Sequence, residues 1–170
     1  MKIKMMTLCL ALVAGGAYAQ HDHAGHHDQK KGDQNMVMFK DTKLGVAYEH
    51  YIHVKDALVA SNANDAKTAA GQLQKALKDV KGSAKAIEAA ENFVKASDLT
   101  EQREVFSSLS NEMAILVKGG KLSMGSLYLE YCPMANNNEG AYWLSNEKEI
   151  RNPYFGDKML KCGSVKETIN

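Results

Sequence analysis

Between residues 41 and 119 the apolar side chains recur every three or four positions, and this helical spacing constrains the fold more than any other feature. The pattern divides into four segments, separated by breaks at residues 62–65, at Gly82 and near Asp98, and it ends at Gly119-Gly120. Four helices joined by short polar links pack most readily as an antiparallel bundle. We therefore predict a mainly α fold built on an antiparallel bundle of about four helices.

Polar side chains at the predicted helix starts support these boundaries. Asp41 or Thr42 can cap the first helix, and Ser83 can cap the third. Asp98 lies three residues before Glu101, which is the spacing of a capping box.

The chain changes character at Lys121. Residues 127–132 alternate and are rich in aromatic side chains, as a strand should be, and Pro133 ends this pattern. Residues 135–140 have the composition of a turn, and residues 141–144 can return antiparallel to the first strand. We predict that residues 41–170 form one helical domain. Its C-terminal module, residues 121–166, is expected to be rich in loops and to contain a short β-hairpin.

The first 19 residues have the three-part layout of a cleavable export signal. Lys2 and Lys4 precede an apolar run over residues 5–14, and a stretch of small residues ends at Ala19. The apolar run is too short to span a bilayer, so we expect no membrane anchor. Cleavage near Ala19 predicts a periplasmic or secreted protein.

Residues 20–40 are polar, lack hydrophobic periodicity and are expected to be disordered. This segment contains His21, His23, His26 and His27, and imidazole suits Cu(II), Zn(II) and Ni(II). We predict a flexible tail that captures metal ions with modest selectivity. The alternative is a solvated leader whose histidines have no role.

The composition argues against several classes of partner and activity. The 21 basic residues nearly balance the 20 acidic ones and form no basic stripe, which argues against nucleic acid as a partner. The sequence contains no nucleophile beside a base motif, no glycine-rich phosphate loop and no diagnostic carboxylate pair. We therefore expect a protein that is not an enzyme.

Two short segments of the C-terminal module each combine a thiol with a thioether, Cys132 with Met134 and Met159 with Cys162. Sulfur ligands select Cu(I) and similar soft ions over hard cations. If the module folds back on itself, the four side chains can form a Cu(I) or Ag(I) site. The alternative is a disulfide, because removal of Cys9 with the signal leaves Cys132 and Cys162 in an oxidising compartment. In that case the two methionines are packing residues and no cofactor is needed.

His50 and His53 lie three residues apart in the first predicted helix and therefore on one side of it, as two metal ligands must. No third ligand is apparent, so ordinary, partly exposed histidines are the favoured interpretation. Trp143 is predicted to fill the core of the C-terminal module rather than to cover a sulfur cluster. The core residues predicted from the apolar stripes of the helices are Tyr48, Tyr51, Phe106 and Met113.

Four runs in the last third of the chain carry a family resemblance. The runs are Tyr131-Cys132-Pro133-Met134-Ala135, Ala141-Tyr142-Trp143-Leu144-Ser145, Ile150-Arg151-Asn152-Pro153-Tyr154-Phe155-Gly156 and Met159-Leu160-Lys161-Cys162-Gly163. They resemble the C-terminal signature of domain-of-unknown-function family 3347, and residues 51–59 look like its first helix. The resemblance extends over residues 41–166.

Members of this family occur as small exported proteins and as domains attached to adaptor subunits of heavy-metal efflux pumps. The resemblance implies a helical domain linked to copper or related metal resistance. It places Cys132, Met134, Met159 and Cys162 on the sulfur-bearing motifs of the family.

Export, a histidine tail and paired Cys/Met segments together predict an exported protein that binds copper or silver for buffering, resistance or transfer to an efflux system. Its expected partners are metal ions and, as the resemblance implies, heavy-metal efflux adaptor proteins. The alternative is a non-enzymatic interaction domain of the cell envelope that is stabilised by a disulfide between Cys132 and Cys162.

Overall fold

The computed structural model describes residues 36–170, all of which lie in one compact unit of the chain. The predicted export signal at residues 1–19 lies outside the described residues, as do the tail histidines His21, His23, His26 and His27. What the sequence indicates about these segments stays a prediction.

Four long helices occupy the region of helical periodicity, as predicted. They are α1 (Thr42–Val59), α2 (Ala63–Leu77), α3 (Ala84–Lys95) and α4 (Leu99–Gly119). Each helix packs on its neighbour in sequence and α4 returns to contact α1, which closes a four-helix bundle. None of the helices described is both long and apolar enough to cross a membrane.

The helix starts agree with the predicted caps at two positions of three. Asp41 accepts a hydrogen bond from an N–H two residues on at 2.9 Å, and Asp98 accepts from two N–H groups in the first turn of α4. Ser83 precedes α3 but makes no side-chain hydrogen bond to it. Its hydroxyl donates instead to the carbonyls of Leu77 and Val80, so the predicted capping bond does not form.

The bundle core contains the residues that the apolar stripes predicted. Tyr51, Phe106 and Met113 are fully buried and Tyr48 is nearly so. The rings of Tyr51 and Phe106 stack with centroids 5.7 Å apart. The Tyr51 hydroxyl also lies 2.6 Å from the Ser110 hydroxyl and accepts a hydrogen bond from the backbone N–H of residue 144 at 3.0 Å. Tyr51 therefore connects α1, α4 and the C-terminal module.

A two-stranded ribbon packs beside the start of α1. Its strands are β1 (Met38–Phe39) and β2 (Leu122–Met124), which pair antiparallel. Phe39 is buried, with 6% of its surface exposed. The predicted disorder of residues 20–40 is therefore wrong at its C-terminal end, where β1 forms.

A three-stranded antiparallel sheet completes the fold. Its central strand is β3 (Leu127–Cys132), which pairs with β4 (Ala141–Ser145) on one side and with β5 (Ser164–Ile169) on the other. The β3–β4 hairpin agrees with the strand and turn patterns of the sequence, whereas β5 was not predicted. The hairpin turn includes a four-residue element, α5 (Ala135–Asn138).

A candidate thiol site at the end of the sheet

Cys132 is the last residue of the central strand β3. It pairs with Ala141 on β4 and is completely buried. Side chains alternate between the two faces of a strand, so Cys132 shares a face with Glu130, whose cross-strand partner is Trp143. The thiol therefore belongs to the interior of the module rather than to its surface.

Cys162 lies in the loop that leads into β5. The register pairs Tyr131 with Ser164, which brings the residues just before β5 alongside the end of β3. Gly163 is needed in this loop because its φ is +142° and a Cβ there would lie 2.8 Å from the Trp143 ring and 3.0 Å from the Tyr131 carbonyl. The glycine thus lets the loop approach the sheet closely enough to place Cys162 near Cys132.

The two cysteines are free, and their thiols lie close enough for Cys132 to act on the Cys162 thiol. This effect of Cys132, followed by burial, raises the pKa of Cys162 to about 11, against the opposite effect of the Met134 backbone N–H. Cys162 is partly exposed while Cys132 is fully buried. A reagent or an ion can therefore reach the pair from the side of Cys162.

Both predicted methionines adjoin Cys162 through their backbones. The Met134 backbone N–H lies near the Cys162 sulfur and acts to lower the pKa of its thiol, and the Met159 carbonyl accepts a hydrogen bond from the Cys162 N–H at 3.0 Å. The Met134 side chain is 48% exposed and lines a surface cleft with Arg103 and Tyr154. The structure thus brings the two thiols and the backbones of both methionines to one place, while the Met134 side chain reaches toward the surface.

Asn152, which the sequence presents only as one member of a run that carries the family resemblance, holds the Cys162 loop in place. It is completely buried, and its side-chain amide donates to the Cys162 carbonyl at 2.8 Å. Its side-chain oxygen accepts from the Tyr154 N–H, and its own N–H donates to the Leu160 carbonyl, both at 2.8 Å. The Asn-Pro dipeptide is a turn signal that could have drawn attention to this side chain.

Buried aromatic and charged residues lie on the inner side of the site. Trp143 is fully buried, as predicted for a core residue, and its ring centroid lies 6.0 Å from that of Tyr154. Burial raises the pKa of the Glu130 carboxyl to about 8, although Lys55 and the indole of Trp143 lower it. The indole N–H lies near this carboxyl, but neither oxygen of Glu130 has a well-formed hydrogen bond. Burial of Trp143 and Glu130 therefore gives the inner side of the site an apolar environment that disfavours charge.

The helix histidines are not part of this site. The rings of His50 and His53 lie 6.1 Å apart in an edge-to-face arrangement. His53 is exposed, whereas the Nδ1 atom of His50 is buried without a hydrogen-bond partner. Within residues 36–170, no three side chains of His, Cys, Asp or Glu gather where they could hold a metal ion.

The fold and the site define a small helical-bundle domain whose C-terminal sheet brings two thiols together. Residues 47–125 match the family described as "Protein of unknown function (DUF3347)". The match confirms the family resemblance over the helices and ends before Cys132, so the Cys/Met segments lie outside it. Comparisons with curated proteins and with solved structures gave no match.

Proposed function

We propose that the protein binds a soft monovalent ion, Cu(I) or Ag(I), at Cys132 and Cys162, and serves in buffering, resistance or transfer to an efflux system. The observation that carries this proposal is the proximity of the two thiols, which the β3–β5 register brings together from distant segments of the chain. Thiolates are the ligands that such ions prefer. The proposal requires no covalent chemistry.

The surroundings of the thiols support this choice of ion. The backbones of Met134 and Met159 adjoin Cys162, and we expect their thioethers to complete the ligand set. Cys132 is completely buried and Cys162 only partly, so an ion held by both would be shielded from water on one side only. Hard cations prefer oxygen ligands and gain nothing from this set.

A titration of the reduced protein with Cu(I) against a competing chelator tests the proposal. We expect the double variant Cys132→Ser/Cys162→Ser to bind Cu(I) about a hundredfold more weakly. Met113→Leu is the matched control, because it removes a thioether from the bundle core, where Met113 is fully buried. Equal, weak binding by the double variant and the unmodified protein would contradict the proposal.

Transfer to a partner is a separate part of the proposal and rests on the expected export and the family context. Mixing the copper-loaded protein with a purified efflux adaptor of the same compartment should move Cu(I) to the adaptor. Loss of this transfer in Cys132→Ser/Cys162→Ser, with adaptor loading by free Cu(I) unchanged, is the expected result.

The same proximity also favours a second candidate, a structural disulfide in a non-enzymatic interaction domain of the cell envelope. A bridge between Cys132 and Cys162 closes a loop of the chain and would stabilise the fold by roughly 3–4 kcal/mol in the chain-entropy model. A free-thiol count on protein taken from its native compartment separates the two candidates. Metal-bound or free thiols support the ion site, whereas complete oxidation without metal supports the bridge.

A further inference from the structure

The β1–β2 ribbon and the segment just before it carry three exposed methionines that belong neither to the core nor to the thiol site. Met36 is 53% exposed, Met38 is 47% exposed and Met124 is 55% exposed. Large apolar side chains grouped on a surface indicate a binding function, because their exposure to water is unfavourable. These three residues are called the methionine ribbon below.

The backbone places the three side chains on one side of the ribbon. Met38 and Met124 are cross-strand partners in the register of β1 and β2. Directly opposed residues of an antiparallel pair have Cβ atoms about 4.5–5.5 Å apart. Met36 lies two residues before Met38, and its carbonyl lies against Gly125, the neighbour of Met124. The three thioethers therefore start from adjoining points of the backbone.

The inward positions of the same segment confirm this orientation. Phe39 is buried and Val37 is partly buried against the core, so the residues that alternate with them, Met36 and Met38, face outward. Gly125 has a φ of +82°, and a Cβ there would overlap the backbone of Met36. The glycine allows the chain before β1 to lie directly beside the end of β2.

We infer that the methionine ribbon is a second binding site for Cu(I) or Ag(I), built from thioethers alone. Thioether sulfur is a soft, uncharged ligand that selects these ions over Zn(II), Mg²⁺ and Ca²⁺. Met38 also lines an open cleft that contains Glu49 and His53, so an imidazole is available nearby. The inference deepens the proposed function, since it assigns a second site for the same class of ion, but it does not depend on the thiols.

Thioethers differ from thiols and imidazoles in having no proton to lose near neutral pH. At about pH 5 imidazole is mostly protonated and binds metal poorly, whereas a thioether is unaffected. Ag(I) binding that persists at this pH in the variant Cys132→Ser/Cys162→Ser therefore reports on methionine. The thiol-free variant also allows the two sites to be measured separately, because it removes the thiols and leaves the methionine ribbon intact.

The experiment is a titration of that thiol-free variant with Ag(I), in chloride-free buffer at about pH 5, followed through the ¹³C-labelled methionine ε-methyl groups. We expect the signals of Met36, Met38 and Met124 to move together and to saturate with a single ion. The signal of Met113, which is fully buried in the bundle, serves as the internal control and should not move. Movement confined to Met134 and Met159 would overturn the inference.

A triple variant, Met36→Leu/Met38→Leu/Met124→Leu, tests affinity in the same thiol-free background. Leucine keeps the apolar surface and similar volume but removes the sulfur, so the fold and any apolar docking should survive. We expect Ag(I) affinity to fall about tenfold or more. An unchanged affinity would overturn the site, and so would a change in association state in place of a change in ion binding. Neither result would bear on the thiol pair.

Discussion

The helical bundle and the C-terminal sheet are held together in different ways. The bundle buries a repeated series of alanine, leucine and aromatic side chains, and apolar contacts of this kind depend mainly on size. The sheet module depends on single residues with particular roles, such as the amide of Asn152 and the missing Cβ of Gly163. The thiol pair lies in the second region. A substitution in the bundle should therefore change only the free energy of unfolding. A substitution in the module should also change the reactivity and ion affinity of the two thiols.

The largest expected effect comes from a cavity in the bundle. Leu73 of α2 is completely buried, so Leu73→Ala should lower the free energy of unfolding by about 2–5 kcal/mol. Chemical denaturation measures this loss, and the exposed substitution Gln72→Ala is the matched control, with an expected change within about 0.5 kcal/mol.

The same variant tests whether the two regions are separate. At denaturant concentrations well below the unfolding midpoint of Leu73→Ala, Cys162 should be alkylated at the same rate as in the unmodified protein. The affinity of the variant for Cu(I) should also be unchanged. A large change in either quantity would show that bundle packing sets the thiol geometry, and the contrast between the regions would fail.

The periodicity of the sequence predicts the bundle because the apolar pattern of each helix lies within one continuous segment of the chain. The β3–β4 hairpin is also local, since an alternating run, a turn and a second run follow each other directly. β5 escaped prediction because its segment, Ser164–Ile169, contains only two apolar residues and lies at an exposed edge of the sheet. β1 is two residues long and exists only through pairing with β2, which lies far along the chain.

The site was predictable in its residue types but not in its geometry. The pairing of thiols with thioethers identifies Cys132 and Cys162 as candidates from sequence alone. Their proximity depends on the β3–β5 register, which no local pattern reveals. Asn152 escaped for the same reason, because its partners at Cys162 and Leu160 are backbone carbonyls that only the folded loop brings near.

A methyl group at Gly163 should harm both stability and the thiol pair. Gly163→Ala forces a side chain into a φ of +142° and against the Trp143 ring and the Tyr131 carbonyl. Backbone strain and steric overlap together should cost about 2–4 kcal/mol of unfolding free energy. The displaced loop should also weaken Cu(I) binding. A destabilised variant with unchanged Cu(I) affinity would mean that the loop can move without separating the thiols.

Loss of the Asn152 side chain should act more on the loop than on the whole fold. Asn152→Ala leaves the Cys162 carbonyl and the Tyr154 N–H without their partners, at an expected cost of about 1–3 kcal/mol. The rate of Cys162 alkylation under native conditions should rise, because the loop opens more often.

Asn152→Asp is the informative companion to this variant. It keeps an oxygen acceptor for the Tyr154 N–H but loses the donor to the Cys162 carbonyl. Alkylation of Cys162 should rise in both variants if the donor controls the loop. An effect limited to Asn152→Ala would assign that control to the Tyr154 contact instead.

The smallest expected effect has the opposite sign and uses a glycine of the bundle as the counterpart of Gly163. Gly71 lies inside α2, and a Cβ there would meet nothing within 4 Å. Gly71→Ala should therefore raise the free energy of unfolding by about 0.5–1 kcal/mol, because glycine loses more backbone freedom than alanine on forming a helix. Denaturation of the two glycine variants side by side gives the sharpest comparison of the two regions. If Gly71→Ala were destabilising, α2 would tolerate an added methyl group as poorly as the loop at Gly163 does. The bundle would then depend on individual residues, as the sheet module does.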